Sequence, residues 1–392
     1  MLDVSAIQNA MLKINLDGWL LYDFRGNNPV FSQILPGQRY TSRRSFLMIP
    51  ALGEPIILVS PLDSSQFQNI RLRQKQFRTW AEMHMCLREI LQNMNRIAME
   101  YVPEAEIPAM SIVDAGTIEL VRSFGVEVVT SADIYQIFGA VWPSSSLESH
   151  IHAARHVDEI KEAAFRYIAK QIQEKGISDE YEVQKFIMDQ FIERGLETED
   201  RPIVAVNKNS SSPHYEPSST MHSAICPGDW VLIDLWARVP GEQNVFADIT
   251  WVGFVGTSIP KNYLDAFEAV RKARDAVITE ARIAWDESRK LQGWQLDEVA
   301  YKVLSASGYE KNILHRTGHS IGPGKTLHAL GVNLDNFETR DTRSILPGVG
   351  FSVEPGVYLN DFGVRSEINI FVDPVKGPIV TTRIQQYPIL IG

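Results

Sequence analysis

Residues 230–255 read WVLIDLWARVPGEQNVFADITWVGFV. Two apolar runs of strand length each carry one acid, Asp234 in the first and Asp248 in the second. A carboxylate flanked by Val, Ile, Leu and Phe on a strand is expensive to bury unpaired. Downstream, GFSVEPGVYL (350–359) and GVRSEINIFV (363–372) repeat the pattern with Glu354 and Glu367. Arg365 precedes Glu367 by two residues and so shares its strand face. It can compensate one carboxylate, not four. For any one of these acids an ion pair, a cap or a strand-edge charge is sufficient explanation. For all four, that explanation needs separate coincidences, whereas bound metal meets the requirement at once.

Histidines cluster between these acids. LHRTGHSIGPGKTLH (314–328) holds His315, His319 and His328, three of the nine in the chain. Gly318, Gly322, Pro323 and Gly324 make it poor helix material. An extended or turning backbone is expected, so the three imidazoles need not share a face. Four carboxylates with one neutral imidazole form a hard, oxygen-rich donor set, suited to Mn²⁺, Co²⁺, Fe²⁺ or Zn²⁺ pairs. In paired-metal hydrolases the ions sit ~3.5–4 Å apart and share a water whose pKa falls to about 7.

The chain has 392 residues, enough for two domains. With 38 basic and 48 acidic side chains, the formal net charge is -10. That argues against a phosphate-backbone binder, so no nucleic-acid partner is expected. Two cysteines, Cys86 and Cys226, exclude a disulfide framework and a cysteine-rich zinc site. No run approaches the length of a membrane span, and the N-terminus lacks the pattern of a signal peptide. A cytoplasmic protein without membrane contact is expected.

The first part alternates helices and strands, among them strand GWLLYDF (18–24), a hairpin across FLMIPALGEPIILVS (46–60) and helix WAEMHMCLREILQNM (80–94). This implies an α/β domain over 1–150. Pro143, the serines that follow it, and His150, His152 and His156 read as a linker and a solvated helix start, since no acidic or cysteine partners sit at ligand spacing. Residues 151–392 then run helix pair, strands, helix pair, strands, a faint repeat of architecture without a sequence repeat.

IDLWA…FADIT, HRTGHSIG, SVEPGVYL and VRSEINI, in that order, resemble the metallopeptidases of the creatinase or "pita-bread" fold, which include aminopeptidase P and prolidase. The resemblance covers roughly residues 150–392. It implies an α+β "pita-bread" domain behind the α/β N-terminal one. It implies Asp234 and Asp248 as terminal and bridging ligands of one metal, His319 and Glu354 as terminal ligands of a second, and Glu367 as the second bridge. Mn²⁺ is the expected metal, with Co²⁺ or Zn²⁺ as alternatives. Glu354 is implied as the proton carrier and His214, in SSPHYEPSS, as a substrate contact. His315 and His328 are implied as lining the cleft, and Arg365 stands with these substrate-side groups.

The implied reaction is hydrolysis of Xaa-Pro bonds in short peptides by a homodimeric enzyme. The alternatives are a creatinase-like hydrolase of a small C–N substrate and a non-catalytic binding relative. The sequence departs from the family's usual forms at several places. Asp234 and Asp248 lie fourteen apart, VPGEQN enlarging the turn between two paired strands. Trp236 replaces a glycine, and Ala329 replaces an acid after the third histidine; Ser320 and Pro323 also differ. Arg25, Arg39, Arg43 and Arg44 are the cations available to cap the carboxyl end of a substrate, each also explicable as a surface arginine.

Overall fold

The computed structural model describes residues 3–35, 37, 39–70 and 72–392. The chain separates into two units, Met1–Gly139 and Ala140–Gly392. The division falls ahead of the expected boundary at 150, and the reason is local. Pro143 is the N-cap of one continuous helix, Ser144–Lys175, and the expected boundary lies inside it. A proline at a helix entrance is well placed because the first N–H groups have no partner within the helix.

The first unit contains α1 (Val4–Lys13), β1 (Gly18–Phe24), α2 (Pro29–Ile34), β2 (Arg44–Pro50), β3 (Ile56–Val59), β4 (Arg73–Gln76), α3 (Trp80–Ile90), β5 (Arg96–Met99), α4 (Ala115–Arg122), β6 (Glu127–Thr130) and α5 (Ala132–Tyr135). The strands form one mixed sheet in the order β4-β3-β2-β1-β5-β6. β2 and β3 pair antiparallel, forming the hairpin expected around ALGEP, while β1, β5 and β6 run parallel. Thr79 and Glu82 close a capping box at the start of α3. Leu20, Met48, Leu58, Leu87 and Ile97 belong to the core of this unit.

The second unit opens with α6 (Ser144–Lys175), β7 (Ser178–Asp179), α7 (Glu180–Glu193), β8 (Ile203–Val206), β9 (Ala224–Ile225), β10 (Trp230–Ala237) and β11 (Ala247–Val255). It continues with α8 (Lys261–Asp286), α9 (Gly293–Ala306), β12 (Ser320–Ile321), β13 (Gly350–Val353), β14 (Gly356–Tyr358), β15 (Gly363–Arg365), β16 (Ile368–Asp373), β17 (Gly377–Val380) and β18 (Ile389–Ile391). Two four-stranded sheets result, β18-β11-β10-β8 and β12-β13-β16-β17, with β14-β15 a separate pair. Helix pair and sheet therefore occur twice, as the sequence pattern implied. No helix among the described residues is long and apolar enough to cross a membrane.

Alternation along β10 and β11 places the site. Val231, Ile233, Leu235, Ile249 and Trp251 face α6 and α7, where they join Val157, Ile160, Phe165, Ile187 and Phe191 in one core. Trp230, Leu232, Val252 and Phe254 point the other way, into the core built on α8 and α9. The same inner face then turns polar, carrying Asp234, Trp236, Asp248 and Thr250. Register proves that this face is shared, since Asp234 pairs with Thr250 and Trp236 with Asp248, without a bulge. The long turn between the strands leaves both acids facing inward.

Candidate functional site

The second sheet supplies the facing wall. Ser352 pairs with Asn369 across β13 and β16, and Glu354 and Glu367 lie two residues from them on the same face. His319 runs antiparallel to β13: its carbonyl accepts from Ser352 N at 2.9 Å, and Ser352 Oγ accepts from His319 N at 2.9 Å. Gly318 makes this approach possible. A Cβ there would stand 2.1 Å from the Ser352 carbonyl oxygen. The two sheets meet where Glu367 N donates to Thr250 O (3.2 Å) and Asp248 N donates to Asn369 Oδ1 (2.9 Å). So the glycine-rich segment is extended backbone at its start, as its composition implied.

Asp234, Asp248, His319, Glu354, Glu367 and Arg365 all line one cavity of about 970 Å³. One ligand atom each of Asp248, His319 and Glu367 lies within 4.8 Å of the others. Glu354 Oε1 is 3.5 Å from His319 Nε2, and Asp248 Oδ2 is 3.3 Å from it. Asp234 is held differently. Its Oδ2 accepts from Arg365 Nη2, whose Nε also donates to Thr250 Oγ1 at 3.0 Å. Thr250 in turn donates to Glu367 Oε2 at 2.9 Å.

Three carboxylate oxygens of this cluster remain buried without a hydrogen-bond partner in the protein: Asp234 Oδ1, Asp248 Oδ1 and Glu367 Oε1. Such groups are costly unless something cationic meets them. Their protonation reflects this. Burial, with Asp248 and Glu354 nearby, pushes Asp234 up to about 6 despite Arg365. Burial and the charges of Asp248, Glu354 and Asp234 push Glu367 well above the carboxylate range. Burial opposes charge on His319, yet Asp248 and Glu354 outweigh it and raise the imidazole. His319 Nδ1 lies 3.1 Å from the Ser320 carbonyl, which can only accept, so the ring donates there and turns Nε2 to the carboxylates. The residues fit a site for divalent cations on these grounds: orphaned oxygens, crowded like charge and an oriented imidazole.

The remaining histidines take separate places. His315 Nδ1 meets Arg316 O and its Nε2 meets Tyr358 Oη, both at 2.7 Å, while Arg365 Nη1 donates to the same hydroxyl at 2.8 Å. Burial holds His315 below its usual range and Tyr358 up at about 12. The His328 ring is 4.1 Å from that of His319, whose charge pushes it down to about 3. His214 is exposed at the cavity edge. The stretch around it is tied by Glu180, which is buried and accepts from Val206 N, Asn209 Nδ2, Tyr215 Oη and Ser223 N at 2.6–3.1 Å.

Tyr358, Thr250, Ser352 and Glu180 were not among the residues singled out from sequence. Ser352 and Tyr358 lie in the quoted stretch SVEPGVYL and Thr250 in FADIT, whereas Glu180 lies in none of the quoted motifs. His150, expected at a solvated helix start, is instead buried on the inner side of α6. Its Nδ1 meets Phe246 O and its Nε2 meets Thr381 Oγ1, both at 2.7 Å. The rings of His152 and His156 lie 4.6 Å apart, but the sole triad at metal-ligating distance among the described residues is Asp248, His319 and Glu367. Arg25, Arg39, Arg43 and Arg44 all lie in the first unit.

Among curated relatives, the chain is 28% identical over 242 residues to a putative Xaa-Pro aminopeptidase of Mycoplasma pneumoniae, covering 61% of this chain and 62% of that one. It is 28% identical over 216 residues to an Xaa-Pro dipeptidase of Lactobacillus helveticus, covering 55% and 52%. The matches thus span between half and two thirds of those relatives. Among solved structures, dipeptidase PepE from Mycobacterium ulcerans superposes with a TM-score of 0.72 at 19% identity, covering 99% of this chain and 96% of that one. An Xaa-Pro dipeptidase from Bacillus anthracis gives 0.65 at 18%, covering 99% and 98%. These likenesses establish the fold, an α/β first unit and an α+β second unit of the pita-bread kind. The sequence pattern of metallopeptidase family M24 matches residues 152–374, a segment that contains the whole carboxylate and imidazole cluster, and the chain belongs to that family.

Proposed function

We propose that this chain hydrolyses Xaa-Pro bonds in short peptides, with its second unit as the catalytic domain. The observation that carries this reading is the convergence of three unpartnered buried carboxylate oxygens with His319 in a histidine-lined cavity. Asp234, Asp248, His319, Glu354 and Glu367 would hold two divalent ions. Such ions, when bound, lower the pKa of a shared water to about 7 and polarise a carbonyl.

The chain's own groups do the rest. Burial opposes charge on Glu354, but His319, His315 and Arg365 outweigh it and keep the carboxyl below its usual range. Ser352 Oγ fixes its Oε1 at 3.1 Å. An ionised, oriented carboxylate can take a proton from water and pass it to the leaving proline nitrogen. The tertiary amide makes that proton transfer indispensable, because the nitrogen leaves poorly as an anion. His328, held neutral, and His214 at the rim can donate N–H groups to the carbonyl oxygen as charge develops. Arg365 lines the cavity while bridging Asp234 to Tyr358, so it braces the ligand wall beside bound substrate.

The same reading takes Mn²⁺ as the metal and a homodimer as the assembly, both on family likeness. It takes a cytoplasmic setting on the free cysteines Cys86 and Cys226. The test is a chain-length series of proline peptides assayed against metal content. Cleavage of Xaa-Pro or Xaa-Pro-Yaa that rises with bound Mn²⁺ is expected. Failure on both lengths by fully loaded protein would sink the proposal. Chelator-insensitive cleavage of a small C–N substrate would favour the creatinase-like alternative.

A further inference from the structure

Trp236 occupies the fourth corner of a square on the inner face of β10 and β11. Asp234 pairs with Thr250, and Trp236 pairs with Asp248. The indole therefore stands across from one candidate ligand and two residues along from another. On the other flank of β10, Ile203 pairs with Asp234, and Ile203 and Trp236 line the same cavity.

The indole N–H has an unusual status. It is shielded from solvent and has no acceptor in the protein. Other indoles of the chain are satisfied: Trp19 donates to Glu100 Oε1, Trp142 to Ile321 O and Trp230 to Gly363 O, at 2.8–2.9 Å. Trp251 shares the orphaned status but faces α6, where the Lys161 ammonium lies 3.4 Å from its ring centroid. Among the indoles of the described residues, only Trp236 lines the cavity beside the ligand cluster. A buried donor without an acceptor is destabilising, and a bound peptide carries carbonyl acceptors in plenty.

We infer that Trp236 is a substrate-contacting residue that sets peptide preference. Its N–H, shielded in the free protein, is brought by a turn of the ring to a backbone carbonyl of the bound peptide. Its ring, with Ile203, forms an apolar wall for the side chain of the Xaa residue. The class favoured is peptides with a large apolar Xaa. This rests on the Xaa-Pro reading above.

The test compares wild type, Trp236→Phe and Trp236→Ala, all metal-loaded and checked for metal content and melting. Ala-Pro, Leu-Pro and Phe-Pro peptides are measured by calorimetric binding and by hydrolysis. Trp236→Phe keeps an aromatic face but lacks the donor, so binding of all three peptides should weaken about 5–10-fold, in KM more than in kcat. Trp236→Ala should also abolish the preference for Leu and Phe over Ala, expected at about 10-fold in wild type. Unchanged affinities and an unchanged Leu-to-Ala ratio in both variants would overturn the inference. Peptide binding that weakens in Trp236→Phe while wild type cuts nothing would instead overturn hydrolysis and leave this contact standing.

Discussion

The candidate ligand cluster and the histidines proposed to face substrate are built on different principles. Asp234, Asp248, Glu354 and Glu367 stand on strands or one residue beyond them, and their directions follow from register. His214 and His328 stand on irregular segments, and nothing periodic aims them. Those segments are held by a few side chains reaching across long sequence separations. Glu180 ties the stretch around His214, and Arg238 ties the turn before β11 to the segment leading to His328. Strand pairing is cooperative and tolerates change in any one neighbour. A loop anchored by a few side chains does not. Metal retention and substrate affinity should therefore be separable by mutation.

The largest effect is expected at the strands. Glu367→Gln removes one of the orphaned oxygens that define the cluster. Hydrolysis should fall by on the order of 10³-fold, because bound metal contributes several kcal/mol to the transition state. Elemental analysis should show metal lost in parallel. The metal-free protein should nonetheless melt about 2–4 °C higher, since a crowded buried carboxylate is relieved at a cost otherwise near 1 kcal/mol. Full metal content in this variant would break the comparison at its root.

Next comes the frame beneath Asp248. His150 bridges α6 to Phe246 and Thr381 as a neutral imidazole, which burial pushes down to about 4. The unfolded chain takes up this proton near pH 6.5, the folded chain only near 4. Stability is therefore full above about 6.5 and is lost as pH falls through that window, by up to about 3 kcal/mol. His150→Gln should flatten the decline of the urea midpoint between pH 7 and 4. An equally steep decline in the variant would show that other groups govern acid unfolding.

The same contrast explains what could be read in advance. An acid inside an apolar strand is visible because alternation is local, and pairing then puts Asp234 and Asp248 on one face despite the long turn. Gly318 was visible as a helix breaker, though not as the point of closest approach to Ser352. The entrance to α6 misled because its justification is distant: Ser146 Oγ donates to Gln243 O, and Trp142 packs with Val245, Ile321 and Phe371. Glu180 looks like an ordinary acid in the first turn of a helix. Its partners lie 26 to 43 residues away, beyond any periodicity. Arg365 was legible as a neighbour of Glu367, but its pairing with Asp234 required β15 to meet β10 across 131 residues.

A smaller effect belongs to Glu180→Gln. The amide offers one acceptor oxygen where the carboxylate serves several donors, and its NH₂ group confronts the rest. The stretch carrying His214 should loosen without disturbing the sheets. KM should rise about 10-fold, roughly the cost of one or two lost charge-assisted hydrogen bonds, with metal content unchanged. Combined with His214→Ala, the losses should be less than additive, because both act through one group. Strict additivity would mean that Glu180 supports folding and not the position of His214.

The smallest expected effect tests whether the segment before His328 is anchored in the same way. Arg238 is buried. Its Nη1 donates to Gly241 O (2.9 Å), Asn244 O (3.3 Å) and Gly324 O, its Nη2 pairs with Glu197, and its guanidinium lies 5.2 Å over the Phe246 ring. The enlarged turn between β10 and β11 thus closes around one cation that also grips the glycine-rich segment. Leu327 N has a second tie, donating to Glu199 Oε2 at 2.9 Å. That redundancy is why the effect should be small. Arg238→Lys keeps the charge but loses the planar fork that serves several carbonyls at once. Peptide affinity should drop only about 3-fold, while amide exchange at 322–328 quickens and that of β10 and β11 does not. Faster exchange across the strands as well would show that the turn and the sheet form one cooperative unit, and the division between strand-borne and loop-borne function would not hold here.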